Sequence, residues 1–182
     1  MTNSSNAEFQ ERLRRYEERM HPQYALQFDG TQLTLQENGQ PMMSWPAVSG
    51  RPGTQGPEHQ SYRDYGPLPQ GNYQAKVSEM QRYEDVGFAD RAAGIAGYGP
   101  WPHGTPAWGN YRFWLTPKSD TKTFGRDNFS IHGGMFPGSA GCIDLTSEMD
   151  DFADLMQALG QDEVDVQVEY GWEGSPNHRR RR

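Results

Sequence analysis

Apolar residues recur with two different periods along the chain, and the change of period marks where the folded domain begins. Over residues 7–20, Phe9, Leu13, Tyr16 and Met20 fall four, three and four apart on an otherwise charged segment. That spacing predicts an amphipathic helix, ended by His21 and Pro22. From Tyr24 the period becomes two. Tyr24, Leu26 and Phe28 alternate with other residues, Asp29-Gly30-Thr31 turns, and Leu33 and Leu35 alternate again before Asn38-Gly39. Strand, turn and strand at this spacing predict a β-hairpin.

From Pro41 to Gly71 the chain is dense in Gly, Pro and Ser, which predicts irregular backbone between short strands, and a stretch this long inside a compact domain often serves function. Alternation resumes over Asn72 to Met80, and Arg82 to Gly109 is again rich in Gly, Pro and aromatic residues. Asn110 to Thr116 is the clearest strand, being built from aromatic and branched side chains, and Phe129 to His132 reads as another that ends at Gly133-Gly134. Behind Cys142 a helix is expected. Ser147 would be its N-cap, Met149, Phe152, Leu155, Met156 and Leu159 its apolar face, and Gly160 its stop. Val164, Val166, Val168 and Tyr170 then alternate as a final strand. No repeat is visible. The expected organisation is a helical extension over residues 1–22, a mainly β domain over 23–170 with one helix after the cysteine, and a basic tail over 171–182.

Composition narrows the function classes. With 182 residues, 34% hydrophobic residues, 21 Gly and 13 Pro, the chain suits one domain of short strands and turns. Its net charge is -7, and the positive charge gathers towards the termini. An acidic body repels a polyphosphate backbone, so nucleic acid is not an expected partner, and Arg179 to Arg182 read as a solvated tail. The N-terminal segment lacks the apolar core of a secretory signal, and no run of about 18 apolar residues spans a bilayer. Synthesis in the cytoplasm without a membrane span is the expectation.

The single cysteine, Cys142, excludes an intramolecular disulfide framework and a multi-cysteine zinc site. It is either a small buried hydrophobe or a reactive thiol. The segment Ile131-His-Gly-Gly-Met-Phe-Pro-Gly-Ser-Ala-Gly-Cys-Ile-Asp-Leu145 places His132 ten residues before Cys142, with a glycine-rich loop between them. A thiol is mostly protonated at neutral pH, so a nucleophilic cysteine needs a base within hydrogen-bond reach. A strand ending in His132 and a loop folding back supply that contact. Attack on a carbonyl develops an oxyanion best held by backbone N–H groups, and Gly141 and Cys142 offer theirs. Ser139 could add a hydroxyl donor, and a backbone carbonyl of Gly133 or Gly134 could orient the imidazole. A metal is not expected, because His132, Cys142 and Asp144 lack the clustered ligand pattern of structural zinc.

This segment resembles the active-site signature of the L,D-transpeptidase catalytic domain, His-Gly, a loop, then Ser/Thr-His-Gly-Cys and an apolar residue. The matching positions are His132, Gly133, Ser139, Gly141, Cys142 and Ile143. Two departures, Ala140 in place of the second histidine and a shortened loop, are similar to the Tlde1-type (DUF2778) branch of type VI secretion effectors. That branch's Phe-Asp-Gly-x-x-Leu opening matches Phe28 to Leu33, and its Gly-Pro-x-Pro-x-Gly-x-Tyr element matches Gly66 to Tyr73.

The resemblance implies an L,D-transpeptidase-like β-sandwich and no cofactor. It implies a toxin that cleaves the terminal D-Ala from peptidoglycan tetrapeptide stems through a thioester, with water or a free D-amino acid as acceptor. It also implies export by a secretion machinery, action in the periplasm of the target bacterium, and an immunity protein. Arg126, Ser49, Arg51, His59 and Tyr62 are candidate stem-binding residues, Arg126 foremost, since a guanidinium forks onto carboxylates. His103, between Pro102 and Gly104 near Trp101 and Trp108, could shape the groove. The alternatives are a non-catalytic wall-binding module and a housekeeping enzyme forming cross-links. Papain-like wall hydrolases place the cysteine before the histidine, the reverse of the order here.

Overall fold

The computed structural model describes residues 3–171. The charged N-terminal segment forms helix α1, Asn3–Met20, whose stripe of Phe9, Leu13, Tyr16 and Met20 stays exposed. Strands β1, Tyr24–Phe28, and β2, Gln32–Glu37, pair antiparallel with Leu26 opposite Leu35 and Phe28 opposite Leu33. Their turn is held by the Asp29 carboxylate, which accepts the amides of Thr31 and Gln32, each at 2.7 Å. Asn38 and Gly39 adopt the left-handed backbone of a tight hairpin turn, at φ 51° and 75°, and feed β3, Gln40–Pro46. This strand lies in the stretch read as irregular. Pro41 is tolerated because β3 is the outermost strand of the sheet, where a missing N–H leaves no neighbour unpaired.

The remaining strands are β4 (Gly71–Lys76), β5 (Gln81–Arg82), β6 (Tyr111–Pro117), β7 (Phe129–His132), β8 (Ile143–Asp144) and β9 (Glu163–Val168). Among the described residues they form one sheet ordered β3-β2-β1-β9-β4-β6-β7-β8, with β5 paired to β6. The β1–β9 and β7–β8 pairs are parallel. Beyond β3, Val48 and Asp144 of β8 exchange two backbone hydrogen bonds of 3.0 and 2.8 Å. The two ends of the sheet therefore meet. The expected sandwich is realised as one continuous sheet curled around a single core.

That core follows the period-two pattern. Leu26, Phe28, Leu33, Leu35, Tyr73, Phe113, Leu115, Phe129, Ile131, Val164, Val166 and Val168 all turn inward. Helix α4, Met149–Ala158, closes it with Met149, Phe152, Ala153 and Met156. Phe152 meets Trp45 and Phe113 edge-on, with centroids 5.1 and 5.5 Å apart, and full burial of such a ring contributes about 1.5–3 kcal/mol. Ser147 does not cap this helix. A 3-10 turn over Thr146–Glu148 precedes it, and the Ser147 hydroxyl donates to its neighbour Glu148. No side chain caps either segment, and the Asp144 carboxylate steadies the approach to the 3-10 turn by accepting the Thr146 amide at 2.8 Å. Gly160 ends the helix as expected, at φ 64°.

The stretch 82–109 carries two short helices, α2 (Phe88–Ile95) and α3 (Thr105–Trp108). Phe88 and Ile95 point to solvent, so α2 has no inward apolar stripe to betray it. The basic tail beyond Gly171 lies outside the described residues.

Candidate active site

The alternation that sends Phe113, Leu115, Phe129 and Ile131 inward sends Arg112, Trp114, Ser130 and His132 to the opposite face of the same two strands. Register aligns them, Arg112 with His132 and Trp114 with Ser130. Strand β8 then pairs parallel with β7, setting Ile143 opposite Ile131 and Asp144 opposite His132. Cys142, the residue before β8, is delivered beside Ser130 and His132. The loop between His132 and Cys142 is shaped by backbone that only glycine adopts easily. Gly141 sits at φ 103°, and a side chain there would strike the Arg126 guanidinium. Asp144 anchors this loop from below by accepting the Gly138 amide at 2.9 Å.

Within the site the His132 Nδ1 lies 2.6 Å from the Gly133 carbonyl oxygen. A carbonyl only accepts, so Nδ1 carries the proton and donates it, which leaves Nε2 to face the thiol. Parallel pairing of β8 with β7 sets Cys142 beside the His132 imidazole, and each group shifts the other's protonation. The Ser130 hydroxyl donates to Sγ at 3.3 Å, and Sγ stands 3.8 Å from the Asn128 carbonyl oxygen. Both partners are buried, Cys142 at 6% and His132 at 3% exposure.

Burial pushes the thiol up, but the bond and charge of His132, followed by Ser130, outweigh it and hold the thiol below its ordinary value. For His132 burial acts downwards, and the Cys142 bond and charge, then Asp144 and the Gly133 carbonyl, carry it above its ordinary value. The two shifts point the same way. Each group thus favours the charged form of the other, which is the direction that activates a thiol for attack.

The other expected site residues separate into three groups. Gly133 supplies the orienting carbonyl, whereas Gly134 does not. Its amide points to the Thr146 carbonyl at 3.4 Å, and its backbone packs against Ala107. Ser139 is corrected too. Its hydroxyl donates to the Cys142 carbonyl at 2.7 Å, so it ties the turn rather than facing a reacting carbonyl.

Arg126 is not a free fork for a substrate carboxylate. Its guanidinium donates to the carbonyls of Gln60, Pro67 and Gly66 at 2.5, 2.7 and 2.9 Å, and to Ala140 at 3.4 Å. It clasps the 60–67 loop to the cysteine loop. Ser49 is buried and accepts the Leu68 amide at 2.8 Å, so it too holds the loop.

Arg51 is exposed, its guanidinium 4.9 Å over the Tyr65 ring, and its backbone borders Gly138. His59 and Tyr62 pair their rings at 5.0 Å on the same loop that Arg126 clasps. These three remain at the margin of the cysteine loop. His103 is exposed at φ 65° with its ring near Gly97, on the 82–109 stretch.

Sequence reasoning missed Ser130, Arg112 and Gln81. Ser130 lies in the recognised strand two residues before His132, and its parity alone would have placed it on the His132 face. Arg112 has the same parity signal within the β6 strand, but its neighbours come from distant segments.

The L,D-transpeptidase catalytic domain (YkuD) profile matches residues 23–168. The chain belongs to this family. Among solved structures it is similar to a Bdellovibrio bacteriovorus protein, Bd1075, at 15% identity and a TM-score of 0.48, covering 82% of this chain and 49% of that one. It is similar to Mycobacterium tuberculosis L,D-transpeptidase 1 at 19% identity and a TM-score of 0.44, covering 81% and 62%. It is also similar to L,D-transpeptidase 3 of the same organism, solved with a faropenem-derived adduct, at 17% identity and a TM-score of 0.44, covering 81% and 60%. The chain thus spans about half to three fifths of the length of these structures. No curated protein sequence matches it. In this L,D-transpeptidase domain the second histidine of the family signature is Ala140, which leaves His132 as the one imidazole in contact with the thiol among the described residues.

Proposed function

We propose that this domain is a cysteine acyl-transfer enzyme of peptidoglycan, acting as an L,D-carboxypeptidase and D-amino acid exchanger on tetrapeptide stems. The observation that carries it is the buried Cys142–His132 contact, with Nδ1 tied to Gly133. The thiolate attacks the carbonyl of the third stem residue, and the amides of Gly141 and Cys142 receive the oxyanion. The C–N bond then breaks as His132 gives its proton to the departing D-Ala amine, leaving a thioester. Water or a D-amino acid amine attacks next, and His132 takes up the incoming proton. The thiolate is restored.

The test is mass spectrometry of muropeptides treated with wild type and Cys142→Ala, with and without a free D-amino acid. Tripeptides are expected without it, and exchanged termini with it. Tetrapeptides left unchanged at stoichiometric enzyme would sink the reading in favour of a wall-binding module, and dimers as the main product would replace it with cross-linking.

The same proposal makes the protein an antibacterial toxin, exported by a secretion machinery into the periplasm of a target cell and blocked in sibling cells by an immunity protein. Its support is the likeness of Phe28–Leu33, Gly66–Tyr73 and the Ala140 signature to the Tlde1-type effectors. Targeting wild type to the periplasm of a susceptible bacterium should arrest or lyse it, while Cys142→Ala should not. Equal survival of both would remove the toxin role.

A further inference from the structure

Asp144 is buried, with 1% exposure, and no basic side chain pairs with it among the described residues. Backbone amides meet its carboxylate instead. Oδ2 accepts the Gly138 amide at 2.9 Å, and Oδ1 accepts the Thr146 amide at 2.8 Å. A buried carboxylate without donors is costly, and bonds to a charged acceptor are the stronger kind, so both segments are held tightly. The backbone of Asp144 is itself fixed. Its N–H and C=O pair with Val48 at 2.8 and 3.0 Å, and it stands in register with His132 across the β7–β8 pair.

The two segments lie on opposite sides of the cysteine in the chain, and each leads to one member of the pair. Gly138 leads to the nucleophile, because the next residue, Ser139, donates its hydroxyl to the Cys142 carbonyl at 2.7 Å. Thr146 leads to the base. Its carbonyl accepts the Gly134 amide at 3.4 Å and lies so close to Gly133 that a side chain there would strike it. Gly133 in turn supplies the carbonyl that receives Nδ1–H of His132 at 2.6 Å. Thr146 reaches this place at φ 49°, a left-handed backbone that strains a β-branched residue. The bond to the Asp144 carboxylate offsets that strain.

We infer that Asp144 is a positioning residue that sets nucleophile and base together, one carboxylate oxygen fixing the loop of Cys142 and the other the turn that orients His132. Arg126 also grips the cysteine loop, through the Ala140 carbonyl, but its other bonds run to residues 60–67 and not to the Thr146 turn. Asp144 reaches both.

The experiment compares wild type with Asp144→Asn, which keeps the shape but has one acceptor oxygen where the carboxylate has two. Circular dichroism verifies folding, intact mass follows Cys142 alkylation by iodoacetamide, and proton NMR reads the His132 Nδ1–H signal. The folded variant should turn muropeptides over about ten- to a hundredfold more slowly at a nearly unchanged KM. It should also alkylate more slowly, and its Nδ1–H signal should shift or broaden. Adding Thr146→Gly, which takes up the left-handed backbone freely, should recover part of the loss. A folded Asp144→Asn with wild-type rates overturns the assignment. So does a slowed variant in which the Nδ1–H signal stays in place or Thr146→Gly recovers nothing, since a prop for the loop alone would behave in that way.

Should Asp144→Asn lose its fold, hydrogen exchange on the wild type decides. The Gly138 and Thr146 amides should be protected along with the β7–β8 ladder, although both lie in turns, and free exchange of either overturns the assignment. The inference rests on Cys142 and His132 acting as nucleophile and base. Alkylation, NMR and hydrogen exchange need no peptidoglycan, so a wild type that meets these expectations yet leaves muropeptides intact would remove the substrate reading alone.

Discussion

Strands β6 and β7 have two faces of opposite character. Inward, Phe113, Leu115, Phe129 and Ile131 join one apolar cluster with α4. Outward, Arg112, Ser130 and His132 are just as buried, but under the 82–109 stretch and the cysteine loop rather than under the core. The inner face is held by non-directional burial, which tolerates any apolar side chain of the right volume. The outer face is held by directed bonds and ring contacts, each of which needs one partner in one place. One ladder thus carries stability on one side and chemistry on the other, and substitutions should separate the two.

The largest separation is expected from Cys142→Ala and His132→Ala. The first should abolish acyl-enzyme formation, and the second should slow it at least about a thousandfold, both read by intact mass after muropeptide addition. Cys142→Ala should leave the melting temperature nearly unchanged. The reverse case is Ile131→Ala, one residue from His132 but on the inner face. It should destabilise the fold by about 2–5 kcal/mol in denaturant titration, while the folded fraction alkylates at about the wild-type rate.

A pH series sharpens the outer face further. The lowered thiol and raised imidazole mean the reactive pair forms as pH rises through the thiol's value and is lost as pH rises through the imidazolium's. The rate of acylation should therefore rise below the ordinary thiol range and fall on the alkaline side. A single rise near the free thiol value would show that no ion pair exists.

Two smaller effects complete the comparison. Gly141→Ala meets both a φ of 103° and the Arg126 guanidinium, and should cost about 1–3 kcal/mol in thermal stability together with slower acylation. Ser130→Ala removes one hydroxyl donor to Sγ, worth about 0.5–1.5 kcal/mol. It should raise the acid limb of alkylation by less than the loss of His132 does.

Much of the inner face was legible beforehand, because its period is local. The Leu26–Leu35 hairpin, the strands at β6 and β7, the final valine strand and the Gly160 stop were all read from alternation and turn residues within a few positions. Strand β3 and helix α2 were not, since Pro41 and the exposed Phe88 and Ile95 break the patterns that signal them. The Cys142–His132 pair was visible because both residues flank one short glycine-rich loop. Arg126 was misjudged, because its four carbonyl partners come from residues 60–67 and 140, and spacing says nothing of them.

What the chain alone determines is therefore whatever depends on neighbours along it: the period of each element, the turns, and a nucleophile and base ten residues apart. The tertiary structure decides the rest. Register between β6 and β7 sets Arg112 beside His132, closure of the sheet through Val48 and Asp144 seats the cysteine loop, and loop packing gives each buried arginine its partners. Those outcomes depend on contacts between segments far apart in the chain, whose geometry is fixed only when the whole core has closed.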